Sequence, residues 1–284
     1  MMRRLLAILC CAWASAAWAA APTLDASGFF GATVGFGNPP TTSLTPLITT
    51  TSGDDIIIVP IFAVRPLLSP ATVTSVTGCG LTWASRPIPD AGAALQNCGG
   101  GVACGATTGL WWAYSHATQA ACPVTVNFSA VVSAGVAGII GVNGASSFVA
   151  PFDTNGVLPV SASNITGLSS GVKVNGYSTD IANDLQFSFF GISFPLSGQP
   201  GPCAPWGNGV FGADGADPKA YLAGIFNRST MVASGETLFG YDVSGCTNKS
   251  AQNWVIFGDA IAGFPRPGSI GGGIPRAPLT GAIR

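Results

Sequence analysis

The chain has 284 residues, enough for one large domain or two small ones, and its 48% hydrophobic content provides for a sizeable core. Charged residues make up only 8%, against roughly 25% in ordinary soluble domains, so the surface must be built from Ser, Thr, Asn, Gly and backbone. The formal net charge is −1 and the only lysines are Lys173, Lys219 and Lys249, which excludes the clustered cations that nucleic acid or an anionic membrane would need.

The amino terminus, MMRRLLAILCCAWASAAWAAAPT, has a two-arginine start, an apolar run and small residues at Ala17 and Ala19. This pattern predicts a secretory signal peptide over residues 1–19, with Ala20 the first residue after cleavage. The apolar run is short for a span and lacks a basic flank on its far side, so no membrane span is expected after cleavage. The expected location is therefore secreted, periplasmic or at the cell surface. Past the leader six cysteines remain, Cys79, Cys98, Cys104, Cys122, Cys203 and Cys246. An even count in an exported chain implies disulfides. No C-x-x-C pair occurs among them and His116 is the sole imidazole, so neither a metal centre nor a cofactor is expected.

From residue 54 onward, short runs rich in Val, Ile, Phe, Thr and Trp alternate with Gly, Pro, Asn and Asp clusters. In chain order they are DDIIIVPIFAV (54–64), ATVTSVT (71–77), LTWASR (81–86), TTGLWWAYS (107–115), PVTVNFS (123–129) and AGVAGIIGVNG (134–144). GVKVNGYS (171–178), DLQFSFFGIS (184–193), KAYLAGIFNRS (219–229), GETLFGYDV (235–243) and QNWVIFGDAIA (252–262) follow. No amphipathic helix interrupts them. The pattern predicts an all-β protein, an antiparallel two-sheet β-sandwich of jelly-roll-like type, as a single domain over 20–262. The Pro- and Gly-rich segment 263–284 is expected to be a flexible tail. No strict repeat is visible. TSGDDIIIV and IANDLQFSF share a turn, an acid and a strand, and an acid at a strand's start is read as a solvated turn residue.

The succession TTSGDDIIIVPIF, VTSVTGCGLTWASR, GLWWAYSHA, CPVTVNFS, GVNGASSFVAPFDTNG, NDLQFSFFGIS and NWVIFGDAIA resembles a poorly characterised β-sandwich module of bacterial exported and phage-associated proteins. The likeness covers roughly residues 50 to 262. It implies a fold and carries no catalytic residues; the cysteines and the long 89–105 loop depart from the usual pattern.

Chemistry concentrates in TTGLWWAYSHA (107–117). In a strand Leu110, Trp112 and Tyr114 share one face, and Trp111, Ala113 and Ser115 the other. With one face in the core, Trp112 is the core residue, and Trp111 is left to pack under a loop, at an interface or against a sugar. Tyr114 and His116 join Trp111 as ligand-binding candidates, and no partner acid or nucleophile for His116 is recognisable nearby in sequence. CAPWGNG (203–209) presents Trp206 in a loop as a candidate exposed anchor. GADGADPKA places Asp214 and Asp217 in a Gly-rich loop, a weak calcium candidate with fewer ligands than an EF-hand. Glu236 is the only glutamate, so a glycosidase built on a Glu pair is excluded while an Asp pair is not. The functional expectation is binding or structural rather than catalytic, with a neutral glycan or cell-surface partner. The rivals are a secreted hydrolase using loop aspartates and a self-assembling surface or appendage subunit, a homo-oligomer. If 71–77, 81–86 and 107–115 pair antiparallel in chain order, the disulfides are Cys79–Cys122, Cys98–Cys104 and Cys203–Cys246, the larger rings contributing ~3–4 kcal/mol each.

Overall fold

The computed structural model describes residues 22–25, 32–34, 40–65, 67–89, 92–95, 104–164, 171–174, 179–180, 184–192, 204–206, 210–214, 221–228, 239–242 and 254–263. The leader expected over 1–19 and the tail expected beyond Gly263 lie outside them. The described residues form twenty β-strands and no helix, paired antiparallel into four sheets, none closed into a barrel.

The strand Asp55–Arg65 organises the first half. Its residues from Asp55 to Val64 are all buried, because both of its faces meet apolar layers. Ile56, Ile58, Phe62 and Val64 project into one cluster, and Ile57, Val59, Ile61 and Ala63 into another. A β-branched run with no polar alternation is what such a doubly covered strand requires. Each fully buried Ile contributes roughly 1.5–3 kcal/mol. On one side this strand pairs along its whole length with Cys104–Ser115, from Asp55 opposite Ser115 to Arg65 opposite Gly105. On the other it pairs with Ile140–Asn143 and Ala134–Ala137, which lie end to end. Ala84–Arg86 and Gly92–Leu95 extend the sheet beyond Cys104–Ser115, and Thr23–Leu24 and Ala32–Val34 extend it at the opposite side. A second sheet centres on Cys122–Val132, with Val73–Gly78 on one side and Thr41–Leu44 and Leu47–Ile48 on the other. Val124, Val126 and Phe128 close this layer onto Ile57, Val59 and Ile61.

The second half repeats this pairing scheme in the same chain order. Leu185–Ile192 takes the central place, between Tyr221–Arg228 and Trp254–Ile261. Val210–Asp214 lies beyond the former and Val160–Asn164 beyond the latter. A small sheet of Gly171–Val174, Phe239–Asp242 and Ala204–Trp206 matches the order of the first half's second sheet. The correspondence reaches single hydrogen bonds. Asp25 N donates to Gly141 O at 2.9 Å, and Asp153 N donates to Ala260 O at 3.0 Å. The Asp25 carboxylate accepts from Thr51 N at 2.7 Å, and that of Asp153 from Asp180 N at 3.1 and 3.2 Å. Thr50 and Thr179, and Asp55 and Asp184, are buried at matching places. The repeat is therefore one of topology and hydrogen bonding, with the side chains between these anchors changed.

The two halves meet across the central faces of their larger sheets, where Leu185, Phe187, Phe189, Phe257 and Ile261 join the cluster of Ile56, Ile58 and Phe62. Gly191 lies as far along its strand from Asp184 as Phe62 does from Asp55, and these equivalent residues touch. A Cβ at Gly191 would come within 2.2 Å of the Phe62 ring, so glycine is required for the close approach. The expected two sheets are thus four, stacked so that the first half's larger sheet is covered on both faces.

The disulfide Cys79–Cys122 is present, with Cα atoms 5.6 Å apart, although the strand order used to reach it does not hold. Val73–Gly78 pairs with Cys122–Val132, placing Gly78 opposite Val124, while Ala84–Arg86 belongs to the other sheet and pairs with Cys104–Ser115. The turn at 79–83 switches sheets rather than closing a hairpin. Cys104 is disulfide-bonded, and it is a fully buried strand residue rather than part of a long loop; Gly92–Leu95 also forms a strand inside that expected loop. Cys98, Cys203 and Cys246 lie outside the described residues.

Candidate functional site

Three strands end together where Asp55 faces Ser115 on one side and Asn143 on the other. The segment TTSGD (50–54) enters here and is fastened to the segment leaving Ser115. Thr50 N donates to Gln119 O at 2.9 Å, Gln119 N donates to Thr50 Oγ1 at 2.9 Å, and Asn143 Nδ2 donates to Gly53 O at 2.9 Å. A Cβ at Gly53 would lie 2.3 Å from His116 O, so the two segments touch backbone to backbone. Asp54 then adopts a left-handed φ of 60°, a region Asp tolerates better than most residues. This conformation turns its carboxylate outward over the end of the neighbouring strand.

That carboxylate gathers two side chains. Tyr114 OH donates to Asp54 Oδ1 at 2.5 Å, and His116 Nδ1 lies 2.6 Å from the same oxygen. Phe148 stacks on the Tyr114 ring, with centroids 4.3 Å apart and planes inclined by 18°. The group faces solvent: the His116 side chain is 85% exposed and that of Asp54 51%. Hydrogen bonds from Tyr114 first, and then His116, hold the Asp54 carboxyl below its usual range. Donation to Asp54 raises the Tyr114 phenol.

Beneath this exposed group lies a buried acid. Asp55 is fully buried and neither of its oxygens has a hydrogen-bond partner. Burial foremost, and then the nearby negative charge of Asp25, push its pKa up to about 7. Asp25 is brought down to about 2 by donors from Ser52 and Thr51, which outweigh its partial burial. The second half repeats the arrangement: burial and then the Asp153 carboxyl push Asp184 up to about 8, and its Oδ2 is unpaired. An acid at a strand's start is here a buried group with a raised pKa, contrary to the solvated turn residue expected. It recurs in both halves and belongs to the scaffold.

A groove of about 270 Å³ opens elsewhere, lined by Pro70–Val73, Ser85–Ile88 and Thr107–Trp111, with Ser85 exposed and Ile88 buried. Trp111 pairs with Ser85 across the strands, so indole and hydroxyl lie side by side, and Thr72 and Pro70 also line the groove; Thr107, on the strand of Trp111, is buried and donates its hydroxyl to Ala71 O. Arg86 is the only charged residue lining it among the described residues, and its guanidinium is held by Asp259 at 2.7 and 3.2 Å. The volume falls just under the ~300 Å³ at which ligand pockets begin, which suits one end of a chain-like ligand.

The predicted site residues do not converge. Trp111 borders the groove and packs against one apolar cluster, while Trp112 packs against the other, edge-on to Phe152 at 5.8 Å. Both indoles are half-buried, because the sheet has an apolar layer on each face rather than on one. Tyr114 and His116 sit at the strand's end with Asp54. Trp206 ends the strand Ala204–Trp206 and Asp214 ends Val210–Asp214, so both backbones lie in strands rather than loops; Asp217 lies outside the described residues. Sequence reading missed Asp54 as the partner of His116, because the two are 62 positions apart and meet only through the Asp55–Ser115 pairing. The available signal was the SGDD turn. Set against protein families, characterised proteins and solved structures, the chain has no significant match.

Proposed function

We propose that the chain is an exported protein that works by extracellular or cell-surface interaction, with a neutral glycan as its ligand in the groove beside Trp111. The observation that carries this reading is the pairing of a half-buried indole with hydroxyls in a groove where Arg86, the one charged residue among the described lining residues, is already neutralised by Asp259. Aromatic faces match the C–H faces of sugars, and the exposed Ser85 and Thr72 offer hydrogen bonds without the desolvation cost of ions. In the same reading, each half of the chain is one two-sheet sandwich with jelly-roll likeness, and export places its disulfides in an oxidising compartment. Self-assembly through the same face is the second reading, favoured by the exposed Leu67 and Leu68 close by in sequence.

A glycan array of uncharged oligosaccharides tests it, followed by titration of the best binder. Trp111→Ala should weaken binding by ~1–3 kcal/mol, as expected of an aromatic anchor. Ser85→Phe, which fills the groove from an exposed position, should abolish binding while leaving the melting temperature within a few degrees of wild type. Retention of affinity by both variants would overturn the assignment.

A further inference from the structure

We propose that His116 and Asp54 form a general-base pair that hydrolyses neutral carboxylic esters, a site separate from the glycan groove. An acidic partner for the imidazole, not recognisable in the surrounding sequence, is delivered by the fold: Asp54 Oδ1 engages Nδ1 at 2.6 Å, fixing the tautomer that leaves Nε2 unprotonated and open to solvent. Tyr114 donates to the same oxygen and holds the carboxylate in place. The cross-fastened segments at 50–54 and 115–119 fix the backbone positions from which the two side chains meet. Preorganisation of this kind is what a base needs to act with little rearrangement.

The internal repeat separates this group from the scaffold. Asp25, Thr50 and Asp55 have counterparts in Asp153, Thr179 and Asp184. Asp54, Tyr114 and His116 have none: the matching sequence positions hold Asn183, Arg228 and Thr230. The aspartate, tyrosine and histidine are thus not part of the sequence shared by the two halves, and their meeting in the first half is an addition to the common anchors.

The surroundings select the substrate. The Asp54 carboxylate is the charge at this surface, and among the described residues no Lys or Arg pairs with it, so phosphate and carboxylate substrates would be repelled. Glycoside cleavage needs a second carboxyl to protonate the leaving oxygen, and Asp55 is fully buried. Phe148 and Val149, 38% and 88% exposed, continue from the Tyr114 ring as an apolar wall for an acyl or aryl group. Nε2 takes a proton from water as the water oxygen attacks the acyl carbon and the carbonyl electron pair moves onto oxygen. When that pair returns, the bond to the leaving alcohol breaks and the alkoxide takes the proton from Nε2–H, giving carboxylic acid and alcohol. His116 is the catalytic residue; Asp54 is a positioning residue.

The test uses the full chain with p-nitrophenyl acetate and butyrate at neutral pH. His116→Gln should lose about a hundredfold of the rate above background, the low end for general-base catalysis. Asp54→Asn should lower kcat at least tenfold with KM unchanged, and Phe148→Ala should raise KM for the butyrate ester. These positions are exposed, so circular dichroism of each variant should match wild type. A wild-type rate in Asp54→Asn, or equal hydrolysis by the urea-unfolded chain carrying the same imidazole, would overturn the proposal. Turnover of p-nitrophenyl phosphate at a comparable rate would overturn the substrate class.

Discussion

Truncation of Arg86 to alanine is expected to cost about 3–5 kcal/mol of stability, the range for removing one partner of a buried ion pair. Arg86 sits in an outer strand of the first half's larger sheet and reaches Asp259 in the second half, its Nε at 2.7 Å from Oδ2 and Nη2 at 3.2 Å from Oδ1. Asp259 is fully buried between Phe257 and Ile261, both members of the apolar cluster that joins the halves. Burial pushes its pKa up to about 6 even against the pull of Arg86. The guanidinium also lies over the Phe152 ring, 4.6 Å from its centroid, and Nη2 reaches Leu158 O at 3.4 Å. Alanine would leave a carboxylate in an apolar layer with its countercharge gone. Urea denaturation of Arg86→Ala, Asp259→Ala and the double variant measures this: the double should recover much of the single Arg86 loss, since no unpaired charge remains. Equal destabilisation by Arg86→Ala and by the double would show that packing, not the charge, is what Arg86 provides.

Raising the pH from 5 to 9 is expected to destabilise the protein markedly. Asp55 and Asp184 have folded pKa values raised to about 7 and about 8, above the ordinary carboxylate value near 4. A raised acid stabilises fully below its unfolded pKa, and that contribution is lost as pH rises through the folded value. The window therefore runs from about pH 4 to about pH 8. Asp25, lowered to about 2, acts with the opposite sign: its contribution is present above about pH 4 and lost as pH falls toward 2. The charges facing the two buried acids are themselves acidic, Asp25 beside Asp55 and Asp153 and Asp180 beside Asp184, so among the described residues no cation offsets their ionisation. At about 1.4 kcal/mol per pKa unit the upper bound is roughly 4 kcal/mol for Asp55 and somewhat more for Asp184. Urea midpoints at unit pH steps should fall between pH 5 and 9. Asp55→Asn with Asp184→Asn, which keeps a neutral donor at each place, should flatten the curve. A midpoint that is level or rises over this range would contradict the account.

What was legible in the sequence was periodicity. DIIIVPIFAV announced a strand, and its unbroken apolar run is the mark of burial on both faces, yet a two-sheet expectation had no third layer to cover the second face. The alternation in GLWWAYS placed Trp111 and Trp112 on opposite faces as observed; only the assumption of a single apolar layer misjudged what lay beyond each. The shared start of TSGDDIIIV and IANDLQFSF was the visible edge of the internal repeat. Its remaining anchors, Asp25 with Thr51 and Asp153 with Asp180, lie 26 and 27 positions apart and show themselves only once the fold brings a carboxylate onto a distant backbone N–H. Long-range pairing also hid the Asp54–His116 contact, and it led to the right Cys79–Cys122 bridge through the wrong neighbour for Val73–Gly78.

The groove beside Trp111 is the proposed meeting place of this chain and its ligand. Hydrogen–deuterium exchange, with and without the best uncharged oligosaccharide from the array, tests that placement most directly. Binding should slow exchange in 70–73, 85–88 and 107–111 while leaving 54 and 114–119 unchanged. Protection confined to the His116 end or to the second half, or no protection at saturating oligosaccharide, would contradict it.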